Sequence, residues 1–113
     1  MTKILPKDCE LAVIGLGRIG LPISISNASK GLKVLGIESN KEMVEKLQNN
    51  VVPFQEEGID KKLEELNNNN FLACFSEDLT PVDVSGIKYV MIAVGVHNIE
   101  RRYPEPFEYN AIE

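Results

Sequence analysis

The sequence predicts an α/β fold, half of a doubly wound parallel sheet with strand order 3-2-1-4. Three observations lead there. Short apolar runs alternate with amphipathic stretches along the chain. A Gly-x-Gly-x-x-Gly run, Gly15 to Gly20, follows the first apolar run and opens the first amphipathic one. The second apolar run ends in an acid, Glu38.

The elements follow in order. Residues 10–15 read Glu-Leu-Ala-Val-Ile-Gly, a short continuous apolar run suited to a strand buried on both faces. From Leu21 to Lys30, Leu21, Ile25 and Ala28 recur at helical spacing, as do Ile19 and Ile23. Ser24, Ser26 and Ser29 are small enough to let this helix approach a sheet, and Pro22 sits in its first turn. Gly31 ends it. Residues 33–38 form a second buried strand. Ser39 or Asn40 caps the next helix, Ser39 with Glu42 fitting a capping box, and Met43, Val44 and Leu47 give its apolar stripe. Residues 49–58 are a loop. A third helix starts at Asp60, with Ile59, Leu63 and Leu66 on one face. Asn67 to Asn70 is a polar break with no chemistry of its own. Residues 71–75 are a short strand, 77–86 a connector with a helical turn near Pro81, and 88–95 the most apolar strand of all. The expected domain is 1–95, with 96–113 a polar tail. Right-handed crossovers between the strands then give the 3-2-1-4 order.

Composition narrows the function. The chain has 113 residues, one domain's worth. Twelve basic against 17 acidic residues leave a net charge of −5, which disfavours nucleic-acid binding. No apolar run reaches the length of a membrane span, and the first residues lack a signal-peptide core. Cys9 and Cys74 have no Cys or His cluster around them, so neither a disulfide framework nor a metal site is expected, and a cytoplasmic setting fits.

The glycine motif has the context that gives it meaning: a strand before it, a helix from it, and an acid ending the next strand. Glu38 lies 18 residues past Gly20, close to the ~20 of a Rossmann-like dinucleotide site. Gly15 permits the tight turn, Gly17 lets a pyrophosphate approach the backbone, and Gly20 lets helix and strand pack closely. The helix N-terminus presents free N–H groups to the phosphates. Glu38 would accept hydrogen bonds from the adenosine ribose and repel a 2′-phosphate, favouring NAD over NADP. The expected cofactor-binding set is Gly15, Gly17, Arg18, Ile19, Gly20, Glu38, Ser39, Val94 and Gly95. No catalytic residue and no metal ligand is assigned. The cofactor is NAD.

Four segments resemble the UDP-glucose/GDP-mannose dehydrogenase family, which includes UDP-N-acetyl-hexosamine 6-dehydrogenases. Residues 13–22, Val-Ile-Gly-Leu-Gly-Arg-Ile-Gly-Leu-Pro, are similar to the family's opening, with Arg18 in place of its usual aromatic residue. Residues 34–40 resemble its second strand, with Glu38 at a common Asp position. Residues 53–59, Pro-Phe-Gln-Glu-Glu-Gly-Ile, are similar to its Pro-x-x-Glu-Pro-Gly-Leu loop, Glu56 matching the Glu and Glu57 replacing the second Pro. Residues 92–95, Ile-Ala-Val-Gly, are similar to its stretch after the fourth strand. Beyond these four, the tail at 106–109 resembles the segment leading into the family's next helix.

The resemblance implies oxidation of a nucleotide sugar's C6 alcohol to a carboxylate with two NAD molecules, by a thiol with an assisting Lys and Asn from later domains. Neither Cys9 nor Cys74 matches that thiol, and each reads as a packing residue. Where the family has Thr-Pro, this chain has Val96-His97, and Val96 cannot position water. His97 reads as a solvent-facing loop residue, Arg101-Arg102 as a solvated tail pair, and Glu56 stands evenly between a cleft residue and a surface acid.

Three functions compete: the NAD-binding domain of a nucleotide-sugar dehydrogenase, inactive alone; a non-catalytic regulatory or redox-sensing NAD-binding module; and a 6-phosphogluconate or hydroxyacyl dehydrogenase type, against which the 53–59 loop argues. Expected partners are NAD, a nucleotide sugar in a full-length context, and a second copy of the chain through an exposed 88–95 strand.

Overall fold

The computed structural model describes residues 3–94. After a short 3-10 turn at Pro6–Asp8, the order is β1 (Leu11–Ile14), α1 (Gly20–Ser29), β2 (Val34–Glu38), α2 (Lys41–Gln48), α3 (Ile59–Leu66), β3 (Phe71–Phe75), a second 3-10 turn (Ser76–Asp78) and β4 (Tyr89–Ile92). The four strands form one parallel sheet in the order β3-β2-β1-β4. The expected strand order therefore holds, and each element falls within a residue or two of its expected place except the last strand. Its expected end, Gly95, and the expected 96–113 tail lie outside the described residues.

Helices cover one face. Leu11, Val13, Val34, Phe71 and Ala73 of the sheet pack against Leu21, Ile25 and Ala28 of α1, Leu47 of α2 and Leu63 of α3. The stripes read from the sequence are buried, with Met43, Ile59 and Leu66 half-buried at their edges, except for the Ile19/Ile23 pair: Ile23 is half-buried and Ile19, which precedes α1 in the turn, is 66% exposed. Of the three serines expected to face the sheet, only Ser24 does. It is buried and its hydroxyl donates to the Gly20 carbonyl at 2.8 Å, while Ser26 and Ser29 are exposed. The other face is covered by irregular chain: Ile4 and Cys9 from the N-terminal segment and Leu79 and Ile87 from the connector pack on Leu35, Ile37, Leu72 and Cys74.

Local signals explain most boundaries. Gly31 takes φ +102°, ending α1 in the left-handed region that glycine adopts without strain. Asn40, not Ser39, caps α2: its Oδ1 accepts from the Met43 N–H at 3.1 Å. The capping box drawn from Ser39 and Glu42 does not form. The helical turn expected near Pro81 falls instead at Ser76–Asp78, with turns over 81–86.

The asparagine run has more chemistry than expected. Asn67 Nδ2 donates to the Leu47 carbonyl and to Asn50 Oδ1, both at 2.9 Å, tying the end of α2 to the end of α3. Asn68 and Asn50 both take positive φ, which asparagine tolerates better than most residues. The Asn70 carbonyl accepts from the Val34 N–H at 2.8 Å and so begins the β2–β3 pairing.

Candidate functional site

Parallel strands leave their C-terminal ends on one edge. Ile14 pairs with Ile37 and Ile92, and Glu38 with Phe75, so the ends of β1, β2, β3 and β4 share that edge. β1 leads to β2 on one side, whereas β4 returns to its other side. Between them is the switch point where ligands bind in open α/β sheets. The 15–20 turn leaves β1 there.

The three glycines do different work. Gly15 sits at φ +96°, and a Cβ on it would lie 2.8 Å from the Ala93 carbonyl oxygen. That close approach brings the end of β4 against the turn. A Cβ on Gly20 would lie 1.7 Å from the Gly15 carbonyl oxygen, so Gly20 is where the turn folds onto itself as α1 begins. A Cβ on Gly17 would meet nothing within 4 Å. The fold does not need glycine at 17, and the open space beside it is where a phosphate can reach the backbone.

Two residues that sequence reasoning passed over hold the turn in place. Leu16 is fully buried. Its two terminal methyls lie 2.8 Å from where a Gly36 Cβ would stand. Glycine inside β2 therefore makes the socket for Leu16. The signal was present, because glycine inside a strand often marks a close approach.

Glu38 supports the turn from the other side. Its Oε1 accepts from the Leu16 N–H at 2.8 Å, and its Oε2 from the Asn40 N–H at 2.9 Å. The carboxylate is thus fixed between the glycine turn and the cap of α2. Each oxygen keeps a second lone pair for a ligand hydroxyl. Lys41, the first residue of α2, stands 5.9 Å from the Phe75 ring centroid, so a cation and an aromatic ring flank this end of the site.

Of the expected cofactor-binding residues, the structure gathers Gly15, Gly17, Arg18, Ile19, Gly20, Glu38, Ser39 and Val94 at the strand-end edge, while Gly95 lies outside the described residues. Arg18, Ile19, Ser39 and Val94 are exposed. Arg18 also reaches across to the 50–58 loop, with its guanidinium carbon 5.6 Å from the Phe54 ring centroid. Glu56 is exposed in that loop, and its carbonyl accepts from the Ile59 N–H. His97, Arg101 and Arg102 lie outside the described residues.

The cysteines lie apart from this edge's chemistry. Burial pushes the Cys9 thiol up to about 12, with Cys74 and Asp8 adding to the rise. Burial likewise pushes Cys74 up to about 11, helped by Asp83 and Asp78. Such thiols hold little thiolate near neutral pH and are poor nucleophiles. Among the described residues no cluster of His, Cys, Asp and Glu could hold a metal ion, and no helix is long and apolar enough to cross a membrane.

Comparison with known proteins adds the family. The model of the UDP-glucose/GDP-mannose dehydrogenase family, NAD binding domain, matches residues 9–103. UDP-N-acetyl-D-mannosamine dehydrogenase of Pyrococcus horikoshii is 41% identical over 57 residues, which are 50% of this chain and 14% of that protein. Among solved structures, the UDP-D-ManNAc dehydrogenase of the same organism superposes with TM-score 0.66 at 30% identity, covering 81% of this chain and 23% of that one. A UDP-glucose dehydrogenase from Pyrobaculum islandicum gives TM-score 0.67 at 26% identity, covering 78% and 20%. The chain thus spans less than a quarter of the length of these relatives. The glycine turn, the anchored acid and the sheet order are those of a dinucleotide site, the cofactor is NAD, and the chain belongs to the UDP-glucose/GDP-mannose dehydrogenase family as its NAD-binding domain.

Proposed function

We propose that this chain is the cofactor-holding part of a nucleotide-sugar 6-dehydrogenase, and that it binds NAD without turning over substrate by itself. The observation that carries the binding reading is Glu38, fixed by the Leu16 and Asn40 N–H groups beside the open space at Gly17. In this reading, Gly15, Gly17 and Gly20 and the start of α1 take the pyrophosphate. Glu38 takes the adenosine ribose, with Ser39 beside it. Arg18 stands at the turn beside the pyrophosphate, and Ile19 and Val94 line the path toward the nicotinamide; Gly95, outside the described residues, belongs to the same expected set. When bound, NAD supplies the hydride acceptor for an alcohol oxidation. The chain's own residues bind it, orient it and select against a 2′-phosphate.

The substrate reading rests on the relatives, whose names specify UDP-N-acetyl-D-mannosamine and UDP-glucose. A UDP-sugar, processed toward surface polysaccharide in the cytoplasm, is the substrate class we assign to the complete enzyme. The raised Cys9 and Cys74 thiols support the absence of turnover in this chain, since neither is suited to capture an aldehyde. A second reading, a non-catalytic regulatory or redox-sensing NAD module, is favoured by one feature, Val96 in place of a hydrogen-bonding residue. Domain limits of 1–95 and self-association through β4 belong to the same proposal.

Calorimetric titration with NAD and NADP tests the binding reading. NAD is expected to bind more tightly, and equal or tighter NADP binding removes it. Incubation with UDP-sugars and NAD tests the rest. NADH production that persists in the purified chain and disappears in Cys9→Ala or Cys74→Ala would overturn the assignment of an inactive part.

A further inference from the structure

The glycine turn carries one charged side chain that the fold itself does not use. Arg18 is the only charged residue between Gly15 and Gly20, and it is exposed. Its guanidinium lies over the Phe54 ring at 5.6 Å, within the range of a cation–π contact. Phe54 is a firm support. It is half-buried and packs against the main core. It also belongs to the loop whose residues 50–57, with Asp60, line an open hollow of about 680 Å³. One contact therefore bridges the turn that begins α1 and the loop between α2 and α3.

The electrostatics of the site call for a cation here. The chain carries a net charge of −5, Glu38 sits at the turn, and Glu56, Glu57 and Asp60 line the hollow. A dinucleotide brings a doubly charged pyrophosphate into these surroundings. The N-terminus of α1 offers partial positive charge, but its effect fades within a turn of helix. The contact with Phe54 uses the charge of Arg18 and leaves its five N–H donors for a ligand. A guanidinium fork matches phosphate oxygens in a way an ammonium does not.

We propose that Arg18 is a positioning residue of the cofactor site: braced on Phe54, it pairs with the pyrophosphate of the bound dinucleotide. Through Phe54 the same contact couples cofactor binding to ordering of the 50–58 loop. This rests on the NAD-binding reading above and extends it to a residue and a loop that the glycine motif does not include.

The test is calorimetry of the 113-residue chain with NAD and with adenosine, which has no phosphate, at several salt concentrations. Arg18→Met is expected to weaken NAD about tenfold and flatten its salt dependence. Adenosine affinity and the melting temperature stay as in the parent. Arg18→Lys restores the salt dependence and only part of the affinity. Phe54→Leu keeps an apolar side chain in the core but removes the ring, and weakens NAD by about threefold. In the parent, NAD slows hydrogen exchange at the Ile59 amide, which bonds to the Glu56 carbonyl. In Phe54→Leu that slowing is lost.

Gly17→Val separates the two claims. If the parent fails to bind NAD, or Gly17→Val binds as the parent does, the cofactor reading falls and this proposal with it. If Gly17→Val abolishes binding while Arg18→Met matches the parent in affinity and salt slope, the cofactor reading stands and the role of Arg18 is overturned. Equal losses for NAD and adenosine in Arg18→Met also overturn it, because they show damage to the fold instead of a phosphate contact.

Discussion

The Glu38 carboxylate accepts a hydrogen bond from the Leu16 N–H at 2.8 Å, joining the end of β2 to the middle of the glycine turn. The acid is therefore a strut as well as the ribose-binding group we propose. A carboxylate already held in place loses little freedom when a ribose arrives, so its hydrogen bonds go largely into affinity. The same bond gives the first prediction. Glu38→Gln keeps an acceptor for Leu16 but loses the charge and the acceptor for the exposed Asn40 N–H, which water can replace. It should weaken NAD by about tenfold with little change in stability. Glu38→Ala should weaken NAD further, narrow the gap to NADP and destabilise the fold by about 1–2 kcal/mol, because the partly buried Leu16 N–H loses its partner. Calorimetry and thermal unfolding of the two variants separate these roles. Identical melting temperatures for Gln and Ala would remove the strut.

The glycines give a second prediction, with opposite signs for folding and binding. Gly17 has empty space where its Cβ would be, so Gly17→Val should fold like the parent, within about 0.5 kcal/mol. It should nevertheless lose NAD binding, because its side chain fills the phosphate's approach. Gly20→Ala should do the reverse of sparing the fold. Its Cβ would lie 1.7 Å from a backbone oxygen that cannot swing away, which costs about 3 kcal/mol or more. Urea unfolding read against NAD titration checks both. A Gly17→Val chain that unfolds early would show that position 17 is structural.

What could be read from the sequence, and what could not, follows a physical line. Periodicity reports burial against neighbours on the same element, so the stripes of Leu21, Ile25 and Ala28 and of Val44 and Leu47 were legible. The glycine motif and Glu38 were legible because their spacing is set by local chain geometry. Gly36 signals a close approach without naming its partner, so Leu16 in that socket, Arg18 over Phe54, and Asn67 bridging α2 to α3 were not. Each joins residues distant in sequence, and only the folded chain brings them together. Asn67 offers a third prediction. Asn67→Ala removes donors to the Leu47 carbonyl and Asn50, and should destabilise by about 1–2 kcal/mol without changing NAD affinity. Denaturant unfolding with and without NAD checks it.

The thiols predict a loss of stability in alkali. Burial raises Cys9 to about 12 and Cys74 to about 11, from an ordinary value of 9.0. Between pH 9 and those values the unfolded chain has released protons that the folded chain still holds. Stability from these groups is full below pH 9 and falls as pH rises through the folded values. Cys9→Ala should flatten the decline above pH 9 while lowering stability at pH 7 by about 1 kcal/mol through lost packing. Alkylation at pH 8 should be slow for Cys9, which is fully buried, and faster for half-buried Cys74. Fast modification of Cys9 in the folded chain would contradict this.

The last prediction concerns β4. Among the described residues it pairs with β1 along one edge and with no strand along the other. Tyr89, Val90, Met91 and Ile92 are all exposed, Ile92 at 71%, so among the described residues nothing covers either face of the strand or its outer edge. Apolar side chains beside unpaired N–H and C=O groups form a template for another strand. A second copy can meet that template edge to edge, since an antiparallel β4–β4 pairing is its own two-fold partner. The stretch contains no charge to repel a copy of itself. The 113-residue chain should therefore gain mass with concentration in light scattering. Val90→Lys, which places a charge in the middle of the strand, should return it to a monomer while leaving NAD binding intact, because Val90 lies toward the opposite end of β4 from Ala93 at the turn. A mass that stays monomeric at high concentration, with the β4 amides protected from exchange, would mean that this edge is covered within the chain, and the association would not hold.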